Sequence, residues 1–570
     1  MRALNRYLWF AVVLVVLIIL KFQVTVQKFA HMEQVQGADL RAEDWDPVIA
    51  ADVNQTHLSV NIDGHVYTNL NDGVYMDKQR RLMIPTTMIR DAFDCSAHLY
   101  DQKIFVIEKK EDVLEFEQDK DYYIKNKEKR DLDTPLTTHN GRLCLPLEVL
   151  AEELGYSCQW NMEQNACMVA ALTADDQMHL PYQYDLREKG RAPAVRDQGP
   201  YGTCWAFASL TALESARMPE TDLQLSVDHM NQNNSFTSSQ KDGGQYTMAM
   251  AYLSAWQGPV SEADDPYGDG KTDSSLNAVA HVQEMQIIEA KNLEEIKKAV
   301  FQYGGVETCI YTTMQSAGGE SSHYNNEKNA YCYMGEEKPN HDVVIIGWDD
   351  NFSKDHFLTN VPDDGAFICQ NSWGTDFGEQ GVFYVSYYDA NIGIHNLVFT
   401  SVEESNNYDR LYQSDLCGWV GQMGYNKESV YGANVYVAEA DEDVAAAGFY
   451  TTGRNTSYQV YVVPEFTGVQ SLEDRIPVAE GQFANAGYHT VRFDQCIRVA
   501  KDSKFGVVVW LSTPNAARPL AIEYQADELT EEADLSDGEG YVSAQGDTWA
   551  DARETLRCNL CIKAYTRNVQ

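Results

Sequence analysis

Positive charge is what this sequence has least of: 44 Lys and Arg stand against 85 Asp and Glu in 570 residues, a formal net charge of −41. Such a surface repels phosphate backbones and anionic headgroups, which excludes nucleic-acid binding and attachment to a membrane through a polybasic patch. Metal-ligand patterning is equally scarce. Cys558-Asn559-Leu560-Cys561 is a lone C-x-x-C, whereas a structural zinc site needs four ligands. Nor is there a disulfide framework to read: of twelve cysteines, setting aside Cys204 leaves an odd number, so thiol-tolerant or anaerobic surroundings are expected. Apolar residues are not lacking. At 44% hydrophobic and 11% aromatic the chain is not globally disordered, and at roughly 100 to 200 residues per domain its length suggests three or four domains.

One uninterrupted apolar run occurs, Tyr7 to Leu20, 14 residues between Arg6 and Lys21. A membrane span needs about 17 to 25 residues, and extension to Val26 gives 20. No A-x-A cleavage site follows. Residues 1–28 are therefore read as an uncleaved signal anchor, with the rest of the chain outside the cell, and 29–49 as a linker. A cleaved signal peptide and a secreted protein is the alternative. Basic residues on both flanks (Arg2, Arg6, Lys21, Lys28) orient the segment only weakly.

The text RLMIPTTMIRDAFDCSAHLYDQKIFVI from Arg81 returns 61 positions later from Arg142 as RLCLPLEVLAEELGYSCQWNMEQNACMV. Each copy predicts a short strand ending at Pro85 or Pro146, then a helix, then a strand containing Phe105 or Met168. The helices would bury Met88, Ile89 and Phe93, or Val149, Leu150 and Leu154. This pattern resembles the copper amine oxidase N-terminal-like repeat of surface proteins in Gram-positive bacteria, over residues 50–172. Nothing in it suggests copper or quinone chemistry; a stalk is the preferred reading and an inhibitory pro-region the alternative.

From Leu180 the sequence reads LPYQYDLREKGRAPAVRDQGPYGTCWAFASLTALESARM. Cys204 follows a Gly-Thr turn and opens a helix-compatible run with Trp205, Ala208, Ala212 and Ala216 on one stripe, stopped by Pro219. A thiol at a helix N-terminus gains from the unpaired N–H groups and the dipole, which favour its thiolate. His341 opens the strand HDVVIIGW, 137 residues after Cys204, and Asn371 follows the strand AFIC, 30 residues after His341. A nucleophilic cysteine with His and Asn roughly 130 to 150 residues downstream is a papain-like arrangement.

The words QGPYGTCWAF, NHDVVIIGW and QNSWG carry a resemblance to the papain-like cysteine peptidase family, over residues 178–400. The resemblance implies a two-lobed domain, one lobe helical and one β-barrel-like, that hydrolyses peptide bonds without a cofactor. It implies a Cys204–His341 thiolate–imidazolium pair, Asn371 orienting the imidazole, and Gln198 lending a side-chain N–H to an oxyanion hole with the backbone N–H of Cys204. It further implies substrate contacts at Gly243, Gly244 and Asp342, and Trp373 shielding the His–Asn bond. Most of the family has a cysteine at 201 and a partner near 241; Tyr201 and Lys241 replace both halves, so one bridge is lost coherently. Position 342 is usually Ala or Gly. Asp342 implies a preference for a basic or polar side chain just before the cleavage residue, with a carboxylate turned away from the cleft as the bland alternative.

From Ser401 short alternating strands follow: YGANVYVA, AAGFYTT, SYQVYVV, YHTVRF, FGVVVWL, LAIEY and CIKAYT. They predict a β-sandwich over 401–570. The order of these words resembles the lectin-like domain that follows papain-like modules in certain bacterial surface proteases, which implies a glycan partner such as cell-wall polysaccharide. Acidic clusters at Glu439, Asp441, Glu442 and Asp443 and from Asp527 to Glu539 could hold calcium, although such clusters are commonly solvated faces. The expected class is thus α+β multidomain: an N-terminal α/β repeat domain, the two-lobed catalytic domain and a C-terminal sandwich. The expected function is a membrane-anchored cysteine endopeptidase acting on protein or peptide substrates at the cell surface. A non-catalytic adhesin on the same scaffold would not need Cys204, His341, Asn371 and Gln198 together, and a transglutaminase-like acyl transferase would usually carry Asp in place of Asn371.

Overall fold

The computed structural model describes residues 59–171, apart from 63–64, 69–72, 78–80, 94, 101–102, 110–111, 133, 140 and 162–165, and residues 180–569. The expected anchor and linker lie outside the described residues. No described helix is long and apolar enough to cross a membrane. Two compact units form, Glu43–His179 and one that includes Leu180–Gln570.

In the first unit the internal repeat is structural. Strand Leu82–Pro85, helix Thr86–Ala92 and the hairpin Ser96–Tyr100/Ile104–Lys109 return as strand Arg142–Pro146, helix Leu147–Leu154 and the hairpin Tyr156–Asn161/Ala166–Ala171. The two leading strands pair with each other, Leu145 opposite Ile84. Each proline is the last strand residue and not the first helical one, which suits a residue that cannot donate a backbone hydrogen bond. Met88, Ile89, Phe93, Leu150 and Leu154 are buried as expected. Val149 is only half-buried, since Leu147, Leu150 and Ala151 fill the core face of its short helix. Between the copies three strands, Asp112–Glu117, Tyr122–Lys125 and Glu128–Asp131, extend the first hairpin into a five-stranded meander.

In the second unit the helix Cys204–Arg217 lies against the strand His341–Asp349 on one side and the helices Val227–Gln232 and Tyr246–Ser254 on the other. Trp205 through Ser215 are consequently all buried; the expected single apolar stripe is replaced by burial all round. The His341 strand is central in an antiparallel run between Val306–Ile310 and Ala366–Gln370, followed by Val382–Ser386. Helix Leu293–Gln302 feeds this sheet, its first turn capped by Asn292 Oδ1, which accepts from the Glu295 N–H at 3.2 Å.

All seven expected C-terminal strands form. Lys504–Ser512 is the central strand of a six-stranded sheet, paired on both sides, and its Val507, Val508 and Val509 are buried on both faces. The edge strand Ile476–Phe483 is mostly exposed and carries no apolar alternation that would reveal it. The second sheet of the sandwich is not separate. Strand Ala280–Ile287 pairs with Leu397–Glu404 on one edge and with Ala486–Val499 on the other, placing Met285 between Phe399 and Tyr488. One hydrogen-bonded sheet therefore runs from the His341 strand into the C-terminal third. Side chains reinforce the seam: Ser254 Oγ meets Tyr450 OH at 2.9 Å, Gln413 Nε2 donates to Ala255 O at 2.9 Å, His489 Nδ1 lies 2.9 Å from Glu284, and Arg454 pairs with Glu295 at 2.7 Å.

Candidate active site

Cys204 is the first residue of its helix, after Thr203, and its side chain is partly open to solvent. The turn before it is set by close packing. A Cβ on Gly244 would lie 2.4 Å from the Trp205 indole, and one on Gly202 would lie 2.9 Å from Gly243 N. Gly243 itself has φ of +78°, a left-handed conformation that favours glycine. Gly244 thus has a steric role in seating Trp205, which the sequence pattern did not disclose. Tyr201 and Lys241 form no bridge; there the chain is held by the Gly202 N–H donating to Gln240 O at 2.7 Å. The described residues contain no disulfide.

His341 opens its strand and Asn371 follows the end of the adjacent one, Ala366–Gln370, and His341 Nε2 lies 2.7 Å from Asn371 Oδ1. Oδ1 also accepts from the Ser372 N–H at 2.7 Å, which fixes the amide with its oxygen toward the ring. Nε2 therefore carries the hydrogen of the neutral imidazole, and Nδ1 is left as the acceptor. Trp373 stacks on the ring, centroids 4.7 Å apart, and is itself buried. Ser372 also grips Gln198: its Oγ donates to Gln198 Oε1 at 2.7 Å, and its carbonyl accepts the Gln198 backbone N–H at 2.8 Å. One hydrogen of Gln198 Nε2 is spent on Tyr201 O at 2.7 Å, so one remains for another acceptor. Tyr267 OH, 2.7 Å from Thr203 Oγ1, donates to Gln198 O at 2.8 Å. His341, Asn371, Gln198 and Trp373 are thus tied to one small network through Ser372, Cys204 stands next to Thr203 at its edge with its thiol turned to Asp342, and Gly244 abuts the Trp205 side. Sequence reasoning missed Ser372 and Tyr267, whose roles depend on partners far away in the chain.

Asp342 does not turn away from the nucleophile. The Cys204 thiol donates to Asp342 Oδ2 at 3.9 Å. Burial pushes the Cys204 thiol up to about 12, and the neighbouring Asp342 charge adds to this against backbone hydrogen bonds that favour the thiolate. Burial likewise pushes His341 down to about 4, opposed by its bond to Asn371, and Asp342 up to about 7. Desolvation thus opposes the expected thiolate–imidazolium pair, while the backbone N–H groups at the helix start and the Asn371 bond favour it.

Several members of the acidic clusters considered for calcium are engaged in ion pairs. Glu439 and Glu442 both engage Arg410, Asp443 pairs with Arg498, and Glu539 pairs with Lys504. Among the described residues no three His, Cys, Asp or Glu side chains are gathered as a metal ion would require. Cys558 and Cys561 are buried and donate to the carbonyls of Ala552 and Gly418.

Three family patterns match the chain: the copper amine oxidase N-terminal domain over residues 49–169, the papain family cysteine protease over 180–402, and the lectin-like domain over 411–566. The viral cathepsin of Choristoneura fumiferana defective polyhedrosis virus is 28% identical over 42% of this chain and 69% of its own. Cathepsin S of Bos taurus is 30% identical over 36% of this chain and 60% of its own. Among solved structures, the cysteine protease and lectin-like domains of Cwp84, a surface layer associated protein of Clostridium difficile, align with a TM-score of 0.61 at 26% identity, covering 69% of this chain and 90% of that one. A second Cwp84 structure, of a variant after propeptide cleavage, aligns with a TM-score of 0.60 at 26% identity, covering 68% and 99%.

Proposed function

Because this chain is a papain-like cysteine peptidase with a copper amine oxidase N-terminal-like region and a lectin-like domain, we propose that it is an endopeptidase of surface or extracellular proteins working through Cys204, His341, Asn371 and Gln198. Substrate binding displaces water from the cleft, and the Cys204 proton passes to His341 Nδ1 as the sulfur attacks the peptide carbonyl. Cys204 and His341 are a thiolate–imidazolium pair in that step, and the N–H groups at the start of the helix hold the thiolate. The remaining Gln198 Nε2 hydrogen and the Cys204 backbone N–H receive the oxyanion. The imidazolium then protonates the departing amine. A thioester remains, and His341 activates the water that hydrolyses it. Asn371 keeps the ring in register throughout, and Trp373 shields their hydrogen bond. Gly243 and Gly244 line the substrate strand, and Asp342 contacts the side chain before the cleavage residue.

The observation that supports this reading best is the double grip of Ser372 on Gln198 and Asn371, which couples the oxyanion donor to the imidazole holder. The test is treatment of the ectodomain with an epoxysuccinyl inhibitor, location of the adduct by mass spectrometry, and a peptide-cleavage assay. An adduct on Cys204 with loss of cleavage is expected. No adduct and no turnover, even after removal of the residues before Leu180, would defeat the proposal and leave the adhesin reading.

Residues 50–172 serve in this proposal as a stalk, and residues 1–28 as the membrane anchor of a surface enzyme, in keeping with the surface association of Cwp84. Propeptide cleavage in Cwp84 favours a second reading in which the region is removed on maturation; the N-terminal sequence of the mature protein separates the two. The C-terminal sheet is assigned to glycan. Directly paired positions place Glu480, Gln459, Trp510 and Tyr431 in one row across its face, a mix of hydrogen-bonding groups and aromatic rings suited to a sugar. Loss of cell-wall polysaccharide binding in Trp510→Ala would support this assignment, and unchanged binding would remove it.

A further inference from the structure

Asp342 stands beside the nucleophile without a cation to balance it. Strand pairing sets Cys309 opposite Asp342 and Glu307 opposite Val344, which puts Glu307, Cys309 and Asp342 on one face of the sheet. That face meets the helix of Cys204, whose Ser209 Oγ donates to Glu307 Oε2 at 2.6 Å. Glu307 is 2% exposed and its Oε1 has no hydrogen-bond partner. Asp342 and Cys204 each keep part of their surface open, so a substrate side chain can reach Asp342 while Glu307 lies behind it.

Arg196, which lines the same cavity as Asp342, is taken up by Glu214 at 3.0 Å and Glu262 at 4.0 Å, and the other polar groups around the pair bring no compensating charge. Helix Tyr246–Ser254 contributes Tyr246, whose hydroxyl burial pushes up to about 12. His395 packs against Tyr246, ring centroids 5.5 Å apart, and burial pushes it down, toward the neutral form. His341 is held by Asn371. Lys291 spends its ammonium on the carbonyls of Asp389 and Ile392 at 2.7 and 2.5 Å. Among the described residues, no Lys, Arg or His pairs with Asp342 or Glu307. A carboxylate at this distance opposes formation of the Cys204 thiolate, while burial and the Asp342 charge hold the Glu307 carboxyl behind it in the acid form.

We propose that the Asp342 carboxylate restrains Cys204 until a lysine or arginine side chain of the substrate neutralises it, so that the substrate's cation both fills the site and frees the nucleophile. This rests on the peptidase reading above. The cation then matters in the chemical step as well as in binding, because the attraction grows as negative charge moves onto sulfur.

Two measurements on the full chain test the proposal. The first is the pH dependence of Cys204 alkylation by iodoacetamide, with the adduct located by mass spectrometry. Asp342→Asn should lower its midpoint by about one pH unit, a tenfold change in thiolate, whereas Glu307→Gln, which replaces a carboxyl that burial and the Asp342 charge already hold in the acid form, should leave it in place. An unchanged midpoint in Asp342→Asn overturns the proposal, and Asp342→Ala carries the same test if Asp342→Asn does not fold. Alkylation needs no turnover, so a Cys204 that is alkylated but cleaves nothing defeats the peptidase reading separately. The second compares peptides with lysine or norleucine just before the cleavage residue. The lysine peptide should have a kcat roughly tenfold higher in the natural enzyme, and equal kcat values are expected in Asp342→Asn. Equal kcat values in the natural enzyme, with only KM differing, would overturn the proposal.

Discussion

His341 Nε2 and Asn371 Oδ1 are joined at 2.7 Å beneath the Trp373 indole, and the amide is fixed by the Ser372 N–H. Asn371→Ala removes the acceptor and leaves the ring free to turn. A loss in kcat of roughly 10²-fold is expected, with KM little changed, since small misplacements of a reacting group cost about that much. Steady-state kinetics on a peptide substrate measures it.

Gln198 is prepared for one task by three partners, Ser372, Tyr201 and Tyr267. Gln198→Ala should lower kcat by about 10²- to 10³-fold, the usual effect of losing one oxyanion donor. Cys204 should still react with the epoxysuccinyl inhibitor in that variant, and loss of both activities together would instead indicate a collapsed loop.

Gly244 leaves room for Trp205. The methyl of Gly244→Ala would sit 2.4 Å from the indole, so either the indole or the Gly202 turn must shift. Overpacking of this kind costs about 1 to 3 kcal/mol. A lowered thermal transition and impaired turnover are expected together, read by calorimetry and peptide cleavage.

The four catalytic candidates were proposed from the sequence because their surrounding words are local: Cys204 opens a helix, His341 opens a strand, Asn371 follows one, and Gln198 lies in the loop six residues before Cys204. Glu307 was not. It is one of 85 acidic residues, and its meaning appears only when strand pairing carries it to the face shared by Asp342. The joined sheet was hidden for the same reason, since Met285 and Tyr488 become neighbours across a long stretch of chain. The meander inserted between the N-terminal repeats was obscured by charged residues on its exposed face, although Leu114, Phe116 and Tyr123 are buried.

Glu523 gives the C-terminal sheets a pH response. Burial pushes its carboxyl up to about 7 from 4.5, and it accepts from the Cys417 N–H at 2.6 Å and from Asn559 Nδ2 at 2.8 Å. With the folded value above the unfolded one, its contribution is complete below 4.5 and lost as pH rises through 7. The loss amounts to about 3 kcal/mol at most. Glu523→Gln should therefore narrow the difference in thermal transition between pH 5 and pH 8, and an unchanged difference would refute the assignment.

Truncation after Glu404 would leave the edge Glu284–Ile287 without its partner strand. Unpaired edges invite association between copies. The truncated chain should elute as higher oligomers in size-exclusion chromatography, while the full chain should not.

The seam between the peptidase and lectin-like portions has a further consequence for reach. A strand ladder with hydrogen bonds on both sides of Ala280–Ile287 does not swing as a linker would. Whatever surface the lectin-like sheet grips, the cleft then stands at one set distance and angle from it. The enzyme would behave as a caliper, trimming neighbours at a fixed radius from its point of attachment.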